Sequence, residues 1–419
     1  MSKAAIIGAY NTPFGSFTKR DKETKEVTDL KTIYQLIIEA GRGALDDAGV
    51  DHKEIDGIWL GSCSPSLFVN QEHIAPWALE VDPEVFRFLP AHRVENACAT
   101  STTAVHNAVH AVESGRYNTV LVIGVEKMTL LDTKGVTHAL ACCSHWDTEG
   151  ARGMTFPGLF AEYAKEYQKR YQLSDDEFFR MRATMAALMY RNGLENPLAH
   201  FGKGGPSDKL GLTTAEAIMN LPDERNVMIA PPLRLHDCSL ISDGAAAVVV
   251  TRSDRVKALG RPAVEIAGIG HSTERLPIEV RPNMYELMGA KDAIRKAFDE
   301  AHVTTADLDL VEVHDCFTIA GLLCTEALGL SKDGRAGHDY LEGRFTHEDR
   351  CPVNLSGGLK AKGHPVGATG ASMHALIYKQ LVGQPIGQAP AKGQPEVGAL
   401  LNVGGSGVTN AVSVLRRMS

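Results

Sequence analysis

Val94-Glu95-Asn96-Ala97-Cys98-Ala99-Thr100-Ser101 opens a helix-length run of small residues, and a strand-like segment, Thr119 to Val125, follows it. Far downstream, Gly363-His364-Pro365-Val366-Gly367-Ala368-Thr369-Gly370, with Ser356-Gly357-Gly358 ahead of it, opens a second such run, and a strand-like segment, Val397 to Val403, follows. Matched positions hold a cysteine in one copy and a histidine in the other. The elements before each copy also correspond. Ala4 to Ala9 reads as a strand, Leu30 to Ala48 as an amphipathic helix and Gly57 to Leu60 as a strand; Val264 to Gly268, Ala290 to Ala301 and Leu308 to Val313 repeat that order. The pattern predicts a layered α/β fold made from a duplicated unit of roughly 130 residues. Residues 1–127 with 243–252 are expected to form one half and 253–419 the other. Between them, 128–242 is expected to be an inserted loop domain with helices of its own, such as Asp175 to Arg191. Long excursions from a compact core usually carry function, so this one is expected to bind substrate.

Composition narrows the classes. The chain has 419 residues, 44% apolar and 22% charged, enough to bury several cores. With 43 basic against 51 acidic residues the net charge is -8, which disfavours nucleic acid and anionic lipid as partners. No apolar run approaches the ~20 residues of a membrane span. The N-terminal MSKAAIIGAYNTPFG is too weakly basic for a secretory signal and the C-terminal VLRRMS carries no address, so a cytoplasmic location is expected. Eight irregularly spaced cysteines read as free thiols, at least one of them chemically active.

Cys98 stands where a strand turns sharply into a helix of small residues, the setting of a nucleophile held on a tight elbow. A helix N-terminus lowers a thiol pKa, so a depressed value is expected there. His364 lies in a loop among glycines, which permit close approach of backbone to a ligand, and a neutral imidazole there suits proton transfer from Cys98. His314-Asp315-Cys316-Phe317 closes a strand, the usual place for working residues in α/β enzymes. A second His-Asp-Cys at 236–238 shows that the tripeptide alone is not specific. Neither copy, nor Cys142-Cys143 with His145, has the paired spacing of structural zinc, so no metal is expected. Gly404-Gly405-Ser406-Gly407 offers backbone N–H groups for an oxyanion. No dinucleotide-binding GxGxxG follows an early strand.

VENACATSTTAVHNAV around Cys98, SDGAAAVVV from Ser242, VEVHDCF from Val311, GHPVGATGA from Gly363 and NVGGSGVTNAV from Asn402 together resemble the thiolase superfamily, in order and over nearly the whole chain. The resemblance implies a five-layered α-β-α-β-α fold of two similar halves with an inserted loop domain. It implies a homodimer or homotetramer, chemistry on acyl-CoA with coenzyme A as substrate, and no permanently bound cofactor. Residue by residue it makes Cys98 the acylated nucleophile and His364 its base. His314 matches a residue that helps bind the thioester oxygen, and the N–H groups of Cys98 and Gly404 match a second oxyanion hole. Where the common family carries a second catalytic cysteine, this chain has Asn402. The HDCF pattern resembles the sterol-carrier-protein type of thiolase, which implies Cys316 as the acid and base. Ser239 matches a serine near the pantetheine arm. Met154 and Phe156, with Phe160 and Tyr163, are expected to line an acyl pocket. The NVGGSG segment also resembles archaeal and bacterial thiolases that work beside a small zinc-ribbon/OB-fold protein, so such a partner is expected. The remaining alternatives are a carbon–carbon lyase of aldolase type, an acyltransferase using a non-CoA acceptor, or a non-catalytic subunit of a partner complex.

Overall fold

A computed structural model describes residues 2–418. Nine strands form one mixed sheet: β1 (Ala4–Asn11), β2 (Gly57–Gly61), β3 (Ala91–Val94), β4 (Thr119–Glu126), β5 (Gly244–Arg252), β6 (Val264–Thr273), β7 (Leu310–Val313), β8 (Val397–Gly404) and β9 (Thr409–Arg417). Their order is β7-β8-β9-β6-β1-β5-β4-β2-β3, and the antiparallel contact between β1 and β6 joins the two halves. The helices that matter for the site are α1 (Ile33–Ala48), α2 (Thr100–Glu113), α3 (Thr133–Ala141), α4 (Phe156–Arg170), α5 (Asp175–Glu195), α6 (Met288–Ala301), α7 (Thr318–Ala327) and α8 (Thr369–Leu381).

Strand alternation builds the layers. Ala4 and Ile6 point to an interior shared with Val105, Ala108, Met373 and Ile377 of the central helices α2 and α8. Ala5 and Ile7 point the other way, against Leu36, Ile37 and Ala44 of α1. In the second half, α6 covers the corresponding outer face through Ala290, Ala293 and Ala297. The five layers are thus α1, one half of the sheet, α2 with α8, the other half, and α6. This is the α-β-α-β-α arrangement expected from the sequence.

The halves repeat one another in detail. The pairing of β1 shifts register between Ile6 and Gly8, and that of β6 between Ile266 and Gly268. Each shift brings a glycine against the covering helix: a Cβ on Gly8 would lie 2.4 Å from the backbone nitrogen of Ala48, and one on Gly268 would lie 2.3 Å from the carbonyl oxygen of Ala297. Both contacts are to backbone, which has no rotamer to yield. A Gly8→Ala variant is therefore expected to lose about 1–3 kcal/mol through overpacking, read as a fall of several degrees in Tm. An unchanged Tm would show that α1 is free to shift.

Boundaries differ from the sequence reading for local reasons. α1 begins at Ile33 rather than Leu30 because Thr32 caps it, its hydroxyl accepting from the Gln35 N–H. β6 runs on to Thr273 because β9 pairs with it along that whole length. β7 starts at Leu310 because a short 3-10 turn over Thr305–Asp307 occupies its approach. The segment between β4 and β5 contains α3, α4 and α5. Among the described residues no helix is long and apolar enough to cross a membrane.

Candidate active site

The cysteine elbow is strained. Ala97, just before Cys98, has φ 50°, the left-handed region that costs a side-chain-bearing residue energy. Its N–H donates to Glu95 Oε1 at 2.5 Å, and the Thr100 hydroxyl accepts from the Asn96 N–H at 2.9 Å while donating to the Ala97 carbonyl at 2.6 Å. One 3-10 turn, Ala97–Ala99, then leads into α2. The elbow rests on Gly124 of β4, where a Cβ would fall 2.7 Å from Ser101 Cβ and 2.8 Å from the Gly367 carbonyl. Both the cysteine loop and the histidine loop thus sit on a single glycine.

The histidine loop is tied to the other half. The Gly367 N–H donates to Glu126 Oε2 at 3.1 Å, and Ser101 Oγ accepts from the Ala371 N–H at 2.8 Å, capping α8 from the end of α2. His364 Nδ1 lies 2.7 Å from Thr369 Oγ1, whose hydroxyl donates to the Pro365 carbonyl at 3.1 Å. With its proton committed, that oxygen accepts from Nδ1–H, so Nε2 of His364 is the bare, basic nitrogen.

His314 follows β7 directly. Because β7 and β8 run parallel with Val313 opposite Leu401, the next pair is His314 and Asn402. Asn402 Nδ2 donates to His314 Nδ1 at 3.0 Å, and Thr102 Oγ1 of α2 donates to Asn402 Oδ1 at 2.8 Å. His314 Nε2 is buried with no hydrogen-bond partner. The rings of His314 and His364 meet edge to face, centroids 5.2 Å apart. Cys98 Sγ and a nitrogen of each ring lie within 4.8 Å of one another.

Cys98 and His364 line an apolar cavity of about 330 Å³, whose walls also include Cys316, Ser239, Phe156 and Gly405; His314 and Asn402 are fully buried and not among its walls. The Ser239 N–H donates to the Cys316 carbonyl at 2.8 Å, which joins the serine segment to the HDCF turn. The chain alone also placed Met154, Phe160 and Tyr163 at an acyl pocket, and the structure corrects this. Met154 is not among the walls. Phe160 is fully buried and stacks on Phe317 at 4.7 Å, and the Tyr163 hydroxyl turns away to the Ser406 carbonyl at 2.9 Å. Only Phe156, at the start of α4, reaches the cavity. Gly404 ends β8, and the N–H beside the Cys98 thiol is that of the next residue, Gly405, whose φ of 63° turns the chain there.

Electrostatics correct a second expectation. The Cys98 thiol is not depressed but raised, first by burial and then by the neighbouring Cys143 thiol; the Gly405 N–H opposes this and the Glu126 and Glu95 carboxylates add to it. Desolvation outweighs the helix end because the sulfur sits in an apolar wall. Burial lowers His364 to about 3 and also lowers His314, so both rings are neutral. Cys316 is raised well above an ordinary thiol, chiefly by burial. Burial lifts Glu126, which accepts from Ser62, Cys63 and Gly367, to about 7, and Asp315, which accepts from the Leu359 amide, to about 7 as well. The site is a neutral thiol beside a neutral imidazole, with two nearby carboxyls lifted by burial to about 7. The spacing of Cys98, His314 and His364 alone would suit a metal, but a ring nitrogen that ligates must give up its proton, and Asn402 donates to the other nitrogen of His314.

Sequence reasoning did not single out Thr369, Thr102, Ser101 or Glu126. Thr369 stands in the GHPVGATGA motif, and Thr102 and Ser101 follow Cys98 directly; no local signal marks Glu126, which ends an apolar strand.

Two matched half-folds that bring a cysteine from one and a histidine from the other to a shared cavity define a duplicated α/β protein built for covalent catalysis. The chain belongs to the thiolase family: residues 4–201 match the description "Thiolase, N-terminal domain" and residues 233–417 "Thiolase C-terminal domain-like". It is 36% identical over 417 residues to an acetyl-CoA acetyltransferase of Methanothermobacter thermautotrophicus, covering 100% of both chains. It is 31% identical over 361 residues to sterol carrier protein 2 of Rattus norvegicus, covering 83% of this chain and 62% of that one. Among solved structures the fold is shared with the Ltp2-ChsH2(DUF35) aldolase, at TM-score 0.78 and 19% identity over 99% of this chain and 97% of that one. It is also shared with human mitochondrial 3-ketoacyl-CoA thiolase in complex with CoA, at TM-score 0.69 and 17% identity over 100% and 98%.

Proposed function

We propose that the protein is a cytoplasmic, oligomeric thiolase that cleaves a 3-oxoacyl-CoA with coenzyme A, or condenses two acetyl-CoA molecules, through an acyl group on Cys98. The observation that carries this reading is the meeting of Cys98, a bare His364 nitrogen and Cys316 at one apolar cavity. In cleavage, Cys98 sulfur attacks the 3-keto carbon as His364 Nε2 takes the thiol proton. The carbon–carbon bond breaks, and its electron pair passes to the acetyl-CoA enolate, whose thioester oxygen takes a hydrogen bond from His314. Cys316 gives its proton to that carbon and regains one from the incoming CoA thiol. The CoA sulfur then takes the acyl group from Cys98, and His364 returns the proton to the departing sulfur. The N–H groups of Cys98 and Gly404 are assigned to the oxygen of the acylated carbon, with that of Gly405 beside the thiol.

Incubation with acetyl-CoA followed by mass spectrometry is expected to find the acetyl group on Cys98, and an adduct on Cys316 or Cys63 instead would overturn the assignment. Ser239 is assigned to the pantetheine arm because it lines the cavity and adjoins Cys316. A Ser239→Ala variant is expected to raise the KM for CoA about fivefold with kcat little changed, since one hydrogen bond of ~1 kcal/mol common to ground and transition states contributes uniform binding. Unaltered CoA saturation would remove Ser239 from the site. A small zinc-ribbon/OB-fold partner belongs to the same reading: one structural neighbour is an aldolase with a DUF35 component, and a relative 32% identical over 301 residues, covering 71% of this chain and 72% of that one, is the benzoylsuccinyl-CoA thiolase subunit BbsB of Thauera aromatica.

A further inference from the structure

Asn402 sits where family resemblance leads one to expect a second reactive cysteine, and its surroundings give it a different task. Thr102, Asn402 and His314 are all fully buried and form one relay of hydrogen bonds: Thr102 Oγ1–H to Asn402 Oδ1 at 2.8 Å, then Asn402 Nδ2–H to His314 Nδ1 at 3.0 Å. A ring nitrogen that accepts a hydrogen bond carries no proton, so the neutral His314 ring holds its proton on Nε2. That nitrogen is the one left buried and unpartnered, on a ring that has a nitrogen within 4.8 Å of the thiol and of the second imidazole.

The opposite orientation of the Asn402 amide is worse at each end. Its NH₂ would face Thr102 Oγ1 and leave that hydroxyl proton without the acceptor it now has, and its oxygen would draw the imidazole proton to Nδ1. His314 Nε2 would then be a bare lone pair beside the bare Nε2 of His364, two acceptors and no donor toward one substrate oxygen. The observed orientation gives one acceptor, on His364, and one donor, on His314.

We propose that Asn402, itself oriented by Thr102, is a positioning residue that fixes His314 in the Nε2–H tautomer, so that a hydrogen-bond donor is aimed at the thioester oxygen of the CoA substrate next to Cys98. The tautomer follows from the relay alone; the identity of the accepted oxygen rests on the thiolase reading. Asn402 touches no reacting atom, and its effect passes entirely through the ring of His314.

The test is ¹⁵N NMR of the whole protein labelled at histidine, with His314→Asn used to assign the His314 signals. Wild type is expected to show, at neutral pH, an unprotonated Nδ1 and a protonated Nε2. In Asn402→Asp a carboxylate replaces the donating amide, and the pattern is expected to invert. That variant is expected to lose roughly 10²–10³-fold in kcat for carbon–carbon cleavage, the scale of removing one oxyanion donor, with KM for CoA and acylation of Cys98 by acetyl-CoA within a few-fold of wild type. Thr102→Val, nearly isosteric, removes only the clamp on the amide and is expected to give a mixture of both tautomers. A wild-type spectrum with the proton on Nδ1, or an Asn402→Asp spectrum unchanged from wild type, overturns the proposal. Should Asn402→Asp not fold, the wild-type and Thr102→Val spectra decide. A correct tautomer in an enzyme that shows no CoA-dependent cleavage would refute the thiolase reading and leave the positioning role intact.

Discussion

A Cys98→Ala variant is expected to lose at least ~10⁴-fold in CoA-dependent cleavage, the scale seen when a covalent nucleophile is removed from a set of residues that act together. It is also expected to carry no acyl adduct after acetyl-CoA and to keep its Tm, because alanine keeps the Cβ of a site whose stability comes from the sheet and central helices rather than from one thiol. In the wild type, burial and the Cys143 thiol keep the Cys98 proton on sulfur, while burial holds His364 near 3 and so proton-free throughout the neutral range. The proton must therefore move from sulfur to His364 Nε2 within the acylation step rather than before it. Single-turnover acylation should then slow in D₂O. Iodoacetamide alkylation of Cys98 should drop roughly 10²-fold in His364→Ala, the usual contribution of a general base. An alkylation rate unchanged in that variant would mean that another group takes the proton.

The second large effect concerns Cys316. The chemistry divides into acyl transfer at Cys98 and proton transfer at the α-carbon. With Asn402 donating to His314 Nδ1 and a proton on Nε2, neither of those residues offers a base for the second part. Cys316 lines the same cavity, and burial keeps its thiol protonated, as suits an acid that delivers a proton to carbon. A Cys316→Ala variant is expected to be acetylated on Cys98 at close to the wild-type rate. Hydrogen–deuterium exchange at the acetyl methyl group, and cleavage of a 3-oxoacyl-CoA, are expected to fall together by roughly 10²–10⁴-fold, the span of a positioned acid-base group. If Cys316 only packs against its neighbours, both half-reactions will decline slightly and in parallel with Tm. Full exchange activity in a folded variant would return the proton to some other group near Asn402.

That Cys98 and His364 meet at one cavity was legible in the chain because the signals are local. Cys98 and His364 each stand at the head of a run of small residues, and such runs form helices that pack closely, so two unlike reagents at matched positions point to one shared centre. What was not legible depends on distance. Thr102 meets Asn402 across 300 positions and Asn402 meets His314 across 88, so no window of sequence shows that relay. The raised Cys98 thiol depends on how dry the cavity wall is, and that is set by α3, α4 and the segment near Ser239 packing over it. Phe156, Phe160 and Tyr163 share one face of α4, at i, i+4 and i+7, so phase cannot separate them, and the deciding partners, Phe317 and Ser406, come from the other half.

Ser101, on the helix that follows the nucleophile, caps the helix that follows the base, and Gly124 receives loops from both halves. During synthesis the ribosome delivers Cys98 some 266 positions before His364, the difference between the two residue numbers. For that whole interval the nascent chain carries Cys98 without the imidazole that receives its proton in the folded site. The pair is therefore complete only once the second half of the chain has been made and has docked on the first.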